Sequence, residues 1–155
     1  RGFIIKPSIN IIKRNYLINK MKEFARLIIK KNNKFLLIKE IKGNFYNAWN
    51  FPGGKVEESE KPEEAVIREI REEINMYDLK IKKLFDTTCV FNNETWHGYY
   101  FLNENINLDT LKILETTKCD GYCFFCFDEI KTLNLGIPTN VLKILEKKYV
   151  NSDNI

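Results

Sequence analysis

The segment PEEAVIREIREEI, Pro62 to Ile74, constrains this chain more than any other. Its apolar residues recur at helical spacing, its proline suits a first helical turn, and Glu63 and Glu64 favour the positive end of the helix dipole. Asn75 follows where a left-handed terminator is needed, and Asn is the usual substitute for Gly there. A helix with one apolar stripe must lay it on something, and the flanking residues supply strands. FARLIIKKNNKFLLIK reads as two strands about an Asn-Asn turn, and LKIKKLFDTTCVF with TWHGYYFL as two more about Asn92 and Asn93. GYCFFCF reads as another strand, after a polar loop from Glu104 to Glu115. IKGNFYNAWN reads as a loop with aromatic content that runs into FPGG. PTNVLKILEKKY closes the chain as an amphipathic helix able to turn Val141, Leu142, Ile144, Leu145 and Tyr149 to a core. The expected architecture is α+β: a sheet covered by at least two helices.

A chain of 155 residues, 44% hydrophobic and 30% charged, has the size and composition of one soluble globular domain. No internal repeat or long linker divides it. No apolar run reaches the roughly eighteen residues of a membrane span. A net charge of +4 suits anionic ligands without arguing for nucleic acid. Cys123 and Cys126 have the spacing of a zinc site, but residues three apart on a strand point to opposite faces. Reduced core cysteines, including Cys89 and Cys119, are the expectation, and with them a reducing, intracellular setting. Residues 1–20 hold five basic residues and no acidic one, and read as a transit-peptide remnant, a leader or an extra N-terminal arm.

With Glu69 set at zero on a helical wheel, Glu73 falls at about 40° and Glu72 at about 300°, so three carboxylates share a sector of about 100°. Val66, Ile70, Ile74 and Ile67 fall between about 60° and about 160°, the expected buried stripe. The acidic sector therefore lies beside the core stripe. Arg68, one turn before Glu72, can brace it. Two readings follow: a solvated helix laced with ion pairs, or carboxylates that hold a cation. Like charges in reach of one another destabilise a helix unless compensated, and hard oxygens suit Mg2+ or Mn2+. Helical geometry alone leaves both open.

From Gly54 through Glu60 to Arg68-Glu69-Ile70-Arg71-Glu72-Glu73-Ile74-Asn75-Met76, the chain resembles the Nudix box, G-x5-E-x7-R-E-U-x-E-E-x-G-U, in which U is aliphatic. Asn75 in place of the last glycine is the one departure. WNFPGGKVE is similar to the matching stretch of MutT-type nucleoside triphosphate pyrophosphohydrolases. ETTKCDGYCFFCFDEI resembles the E-P-x-K-C-x-x-W-x-W-x-x-x-x-E-L stretch of MutT-homologue nucleotide diphosphatases, with Thr116 for Pro and Tyr122 for Trp. PTN resembles the P-A-N of MutT.

The resemblance implies a Nudix fold, an α/β/α sandwich around a mixed, curled sheet, with residues 21–155 as one domain after the basic leader or arm of residues 1–20. It implies Glu72 and Glu73 as metal ligands, with the Gly54 carbonyl and with Glu69 as a further ligand or a base. Arg68 and Glu60 become supports, and Glu115 an acidic loop residue able to reach metal or water. Trp49 and Phe51 join the substrate-binding candidates. Lys55 is a phosphate contact or a solvated loop lysine, and Asn140 a reader of a purine edge or a helix cap. Phe45, Tyr46, Trp49, Trp96 and Tyr99 stack on a base or fill the core, and His97 is a proton shuttle or structural. The implied activity is hydrolysis of a nucleoside triphosphate, such as an oxidised purine deoxynucleotide like 8-oxo-dGTP, to monophosphate and pyrophosphate with Mg2+, for which Mn2+ substitutes. The alternatives are another nucleoside diphosphate conjugate (ADP-ribose, a dinucleoside polyphosphate, capped RNA) or a nucleotide sensor without turnover. The expected partner is the nucleotide, with no membrane or stable nucleic-acid partner, in a monomer or homodimer. The expected compartment is cytoplasmic, or organellar if the basic segment is a transit remnant.

Overall fold

Asn32 (φ 55°) and the pair Asn92 and Asn93 (φ 49° and 62°) take up left-handed backbone, and each turn folds its flanking apolar runs into a hairpin. The computed structural model describes residues 21–151, and the leader or arm reading of residues 1–20 lies outside them. The first hairpin pairs β1 (Lys22–Lys31) with β2 (Lys34–Glu40), and the second pairs β5 (Lys82–Phe91) with β6 (Glu94–Asn103). β1 runs parallel to β6 and antiparallel to β4 (Gly53–Lys55). β2 lies between β3 (Ala48–Asn50) and β7 (Cys119–Cys126), antiparallel to both. β1 and β2 pair only beside their turn, at Lys30 with Phe35 and Lys31 with Lys34, so two wings of one mixed sheet curl apart from that point.

Both faces of the central strands are buried, which is why they read as continuous apolar runs and not as alternating ones. Phe24, Ile28, Phe35, Leu37, Tyr100 and Leu102 face one core, which α3 (Thr139–Tyr149) closes with Val141 and Leu145. Leu27, Ile29, Leu36, Ile38 and Phe101 face the other, which α1 (Pro62–Ile74) closes with Val66, Ile70 and Ile74. The expected sandwich of helices about a sheet is what forms. Each fully buried isoleucine of α1 contributes about 1.5–3 kcal/mol.

Several details differ from the sequence reading. Ile67 is exposed, because the buried sector of α1 is centred on Val66 and Glu73 and takes in Ala65 at its far edge. β3 and β4 lie within the stretch read as loop; three-residue strands show no period and exist because β2 and β1 pair with them. β7 begins at Cys119, and Phe127 opens a short helix, α2 (Phe127–Ile130). Cys89 and Cys119 are buried as core cysteines, whereas Cys123 is exposed and Cys126 half-buried, and all four are free. No helix among the described residues is long and apolar enough to cross a membrane.

Candidate active site

Helix α1 carries its acids onto the FPGG turn. Gly53 has a φ of 145°, and a Cβ there would lie 2.1 Å from the Ala25 carbonyl oxygen, so only glycine lets the turn lie against β1. The Gly53 N–H donates to Glu73 Oε1 at 2.9 Å. A Cβ on Gly54 would meet the Glu69 carboxylate carbon at 2.5 Å, so that carboxylate occupies the room a side chain would take. Glu73 is 6% exposed, and burial pushes its carboxyl up to about 8, although Arg26 and the Gly53 N–H favour the charged form. Burial also raises Glu69, against the Arg68 hydrogen bond.

Arg68 is the hub of this acidic face. Its Nε and Nη2 form a fork on Glu60 at 2.7 and 2.9 Å, Nη2 also donates to the Lys55 carbonyl at 3.1 Å, and Nη1 donates to Glu69 Oε1 at 2.9 Å and Glu72 Oε2 at 3.3 Å. That fork holds the Glu60 carboxyl below its usual range. One guanidinium thus fixes the β4 turn, Glu69 and Glu72 together.

A third element supplies Glu115. The Lys112 and Leu114 N–H groups donate to the Ile74 and Glu73 carbonyls, the helix-end acceptors that α1 leaves without partners of its own. Asn75, left-handed at φ 59°, adds a bond from Nδ2 to the Thr110 carbonyl that a glycine could not make. The Ile41 N–H donates to the Lys118 carbonyl on the other side. Glu115 therefore faces Glu69, Glu73 and Gly54 across a cleft of ≈ 320 Å³, together with Arg26 and Glu40. Glu72 turns to Arg68 and solvent, and is not part of the cleft wall.

Beside the cleft, an aromatic cavity of ≈ 100 Å³ opens between Phe24, Phe45, Phe91, Trp96 and Tyr100, with the buried Asn50 at its wall. Of the aromatic candidates, Phe45 and Trp96 line it. Trp49 packs edge-on to Phe125 at 5.0 Å, and Phe51, 1% exposed, packs edge-on to Tyr100 at 6.4 Å. The Lys55 side chain lies outside cleft and cavity, beside Glu57 and Glu58. Asn140 donates to the Thr88 carbonyl at 2.9 Å and ties α3 to β5, and the N-cap of α3 is Pro138. His97 pairs with Asp86 at 2.7 Å. Sequence reasoning missed Arg26 and Glu40, a buried arginine and a half-buried glutamate paired at 3.3 Å on adjoining strands. The available signal was one charge inside the otherwise apolar FARLII run.

Among the described residues no three His, Cys, Asp or Glu side chains already stand as a metal-holding group, since Glu69 and Glu72 are turned to Arg68. The donor set nevertheless fits a hard divalent cation. Glu69, Glu73 and Glu115 are oxygen donors on one cleft, and the desolvated Glu73 carboxyl would regain its charge beside a cation. Cys119 beside them, its thiol pushed up to about 12 by burial and by Glu73, is a neutral neighbour.

The NUDIX domain family model matches residues 21–145. The chain is 43% identical over 60 residues to an 8-oxo-dGTP diphosphatase of Proteus vulgaris, a stretch covering 39% of this chain and 53% of that one. It is 49% identical over 57 residues to an ADP-ribose pyrophosphatase of Methanocaldococcus jannaschii, covering 37% and 33%. It thus spans about half the length of the first relative and a third of the second. The crystal structure of a MutT NUDIX hydrolase from Burkholderia pseudomallei superposes with a TM-score of 0.68 at 24% identity, over 85% of this chain and 99% of that one, and shares its fold.

Proposed function

The chain belongs to the NUDIX domain family, and from that premise we propose that it hydrolyses a nucleoside triphosphate, such as an oxidised purine deoxynucleotide, to monophosphate and pyrophosphate. The observation that carries this reading is one acidic cleft, walled by Glu69, Glu73, Glu115 and the Gly53–Gly54 backbone, beside an aromatic cavity with which it shares Arg26. The residues that would hold Mg2+, or Mn2+ in its place, are Glu73 and the Gly54 carbonyl on the cleft wall, joined by Glu72, whose carboxylate would have to swing in from Arg68 and solvent. When bound, the ion would neutralise phosphate oxygens and lower the pKa of water.

The remaining work falls to the chain itself. The rings of Phe24, Phe45 and Trp96 take the base, with Asn50 at its edge. Lys42 and Lys118 on the cleft wall attract the phosphate tail. Glu69, raised above its ordinary value by burial, accepts a proton from the attacking water. The water oxygen forms a new P–O bond as the anhydride P–O bond breaks in line, and pyrophosphate leaves with that electron pair. Arg68, anchored on Glu60, keeps Glu69 and Glu72 from drifting apart as charge moves.

A second reading, cleavage of ADP-ribose, is favoured by the Methanocaldococcus relative. Product chromatography after incubation with Mg2+ and a panel of triphosphates, oxidised triphosphates, ADP-ribose, a dinucleoside polyphosphate and 5′-triphosphate RNA separates the two. Pyrophosphate from a triphosphate is the expected result. AMP from ADP-ribose with every triphosphate intact would replace the first reading by the second.

A further inference from the structure

Arg26 lines both the aromatic cavity and the acidic cleft. A nucleotide with its base in the first and its reacting phosphates over the second must cross this side chain. We propose that Arg26 binds the phosphate attached to the nucleoside, and that it does so by exchanging Glu40 for that phosphate. The proposal rests on the nucleotide reading above and adds to it the residue that decides where along the substrate recognition ends and reaction begins.

Three observations support the exchange. The Arg26 bonds to Glu40 (3.3 Å), the Phe51 carbonyl (2.9 Å) and the Gly53 carbonyl (3.4 Å) all leave from Nη1, so they do not use the paired face of the guanidinium fork that matches phosphate oxygens. The Glu40 contact is long for a charge-assisted bond and therefore replaceable. The side chains of Arg26 and Glu40 are 11% and 15% exposed, so water screens the pair little and a doubly charged phosphate competes strongly for the cation. Once displaced, the Glu40 carboxylate stays on the cleft wall with Glu73, where it adds negative charge for a cation. Phosphate and cation then favour one another's binding.

A purely structural Arg26 would only pin the Phe51 and Gly53 carbonyls. Binding of deoxyguanosine monophosphate and adenosine monophosphate, measured calorimetrically in EDTA, tells the two apart. Arg26→Lys, which keeps the charge and loses the fork, should weaken monophosphate binding about tenfold or more. Glu40→Gln removes the competing carboxylate and should tighten it by about three- to tenfold, a gain that misfolding cannot imitate. Binding of Mn2+ without nucleotide should survive in Arg26→Lys. The proposal is overturned if wild-type protein binds neither monophosphate in EDTA, or if Glu40→Gln leaves the affinity unchanged or lowers it. Arg26-dependent monophosphate binding together with a blank nucleotide panel would retire the triphosphate reading and keep this one. An active panel with Arg26-independent binding would do the reverse.

Discussion

The acidic cleft and the aromatic cavity share a wall at Arg26 but are built in different ways. Along the cleft, the acids of the catalytic face are tied to fixed partners: Glu73 to the Gly53 N–H, Glu69 to Arg68, which also holds Glu72 outside the wall, and Glu115 to Lys118 at 3.3 Å. In the cavity, Phe24 meets Phe91, Trp96 and Tyr100 through edge or tilted contacts with centroids 5.9, 6.4 and 5.9 Å apart. The first arrangement fixes charge in space, as bond cleavage requires. The second fixes only a volume and a set of ring faces, which is enough to hold a flat base. Damage to the cleft should therefore appear in kcat, and damage to the cavity in KM and base preference.

The largest test of that division is Glu73→Gln or Glu72→Gln, each expected to lower kcat on the order of 10³-fold while the fold is retained. Near-normal turnover in either would dissolve the distinction. Next is pH. Between its ordinary value of 4.5 and about 8, Glu73 holds a proton in the folded protein that the unfolded chain has lost. Metal-free stability must then fall as pH rises through that window, on the order of 2–4 kcal/mol from pH 5 to pH 8. Denaturant titrations should show this slope, Glu73→Gln should flatten it, and Mg2+ should restore stability at pH 8. Gly54→Ala comes third. Its methyl would meet the Glu69 carboxylate carbon at 2.5 Å and push that side-chain end off Arg68 without touching backbone, so Tm should move little while kcat drops about tenfold. Smallest is Trp96→Leu, expected to raise KM about three- to tenfold with kcat little changed; an equal loss in kcat would show that the cavity also positions the reacting phosphate.

The two sites also differ in how far the sequence announces them. Helix α1 was legible because its signals are local: Pro62 at the start, Asn75 at the stop, and acids spaced for one face. Glu69, Glu72, Glu73 and Arg68 all lie within that segment, and Glu60 stands two residues before it. What the wheel missed was depth. Glu73 sits inside the buried sector, a consequence of the Gly53 N–H waiting there twenty residues away. The cavity draws Phe24, Phe45, Asn50, Phe91 and Trp96 from separate strands and loops, and nothing in an isolated aromatic residue says which side of a curled sheet it will face. Arg26 shows the limit most clearly. Its charge reads as a surface feature until β1 is seen buried on both sides and the Phe51 and Gly53 carbonyls are seen to receive it.

The bonds from Lys112 and Leu114 to the end of α1, with Asn75 holding Thr110, set a boundary on how this protein can vary in length. Residues 104–109 lie upstream of every one of these ties, so insertions or deletions there leave Glu115 in place. A single residue added between Thr110 and Glu115 would move that acid by about 3.3 Å along the chain, out of reach of the others. Natural variants and engineered grafts should accordingly accumulate their length changes before Thr110 and almost none after it.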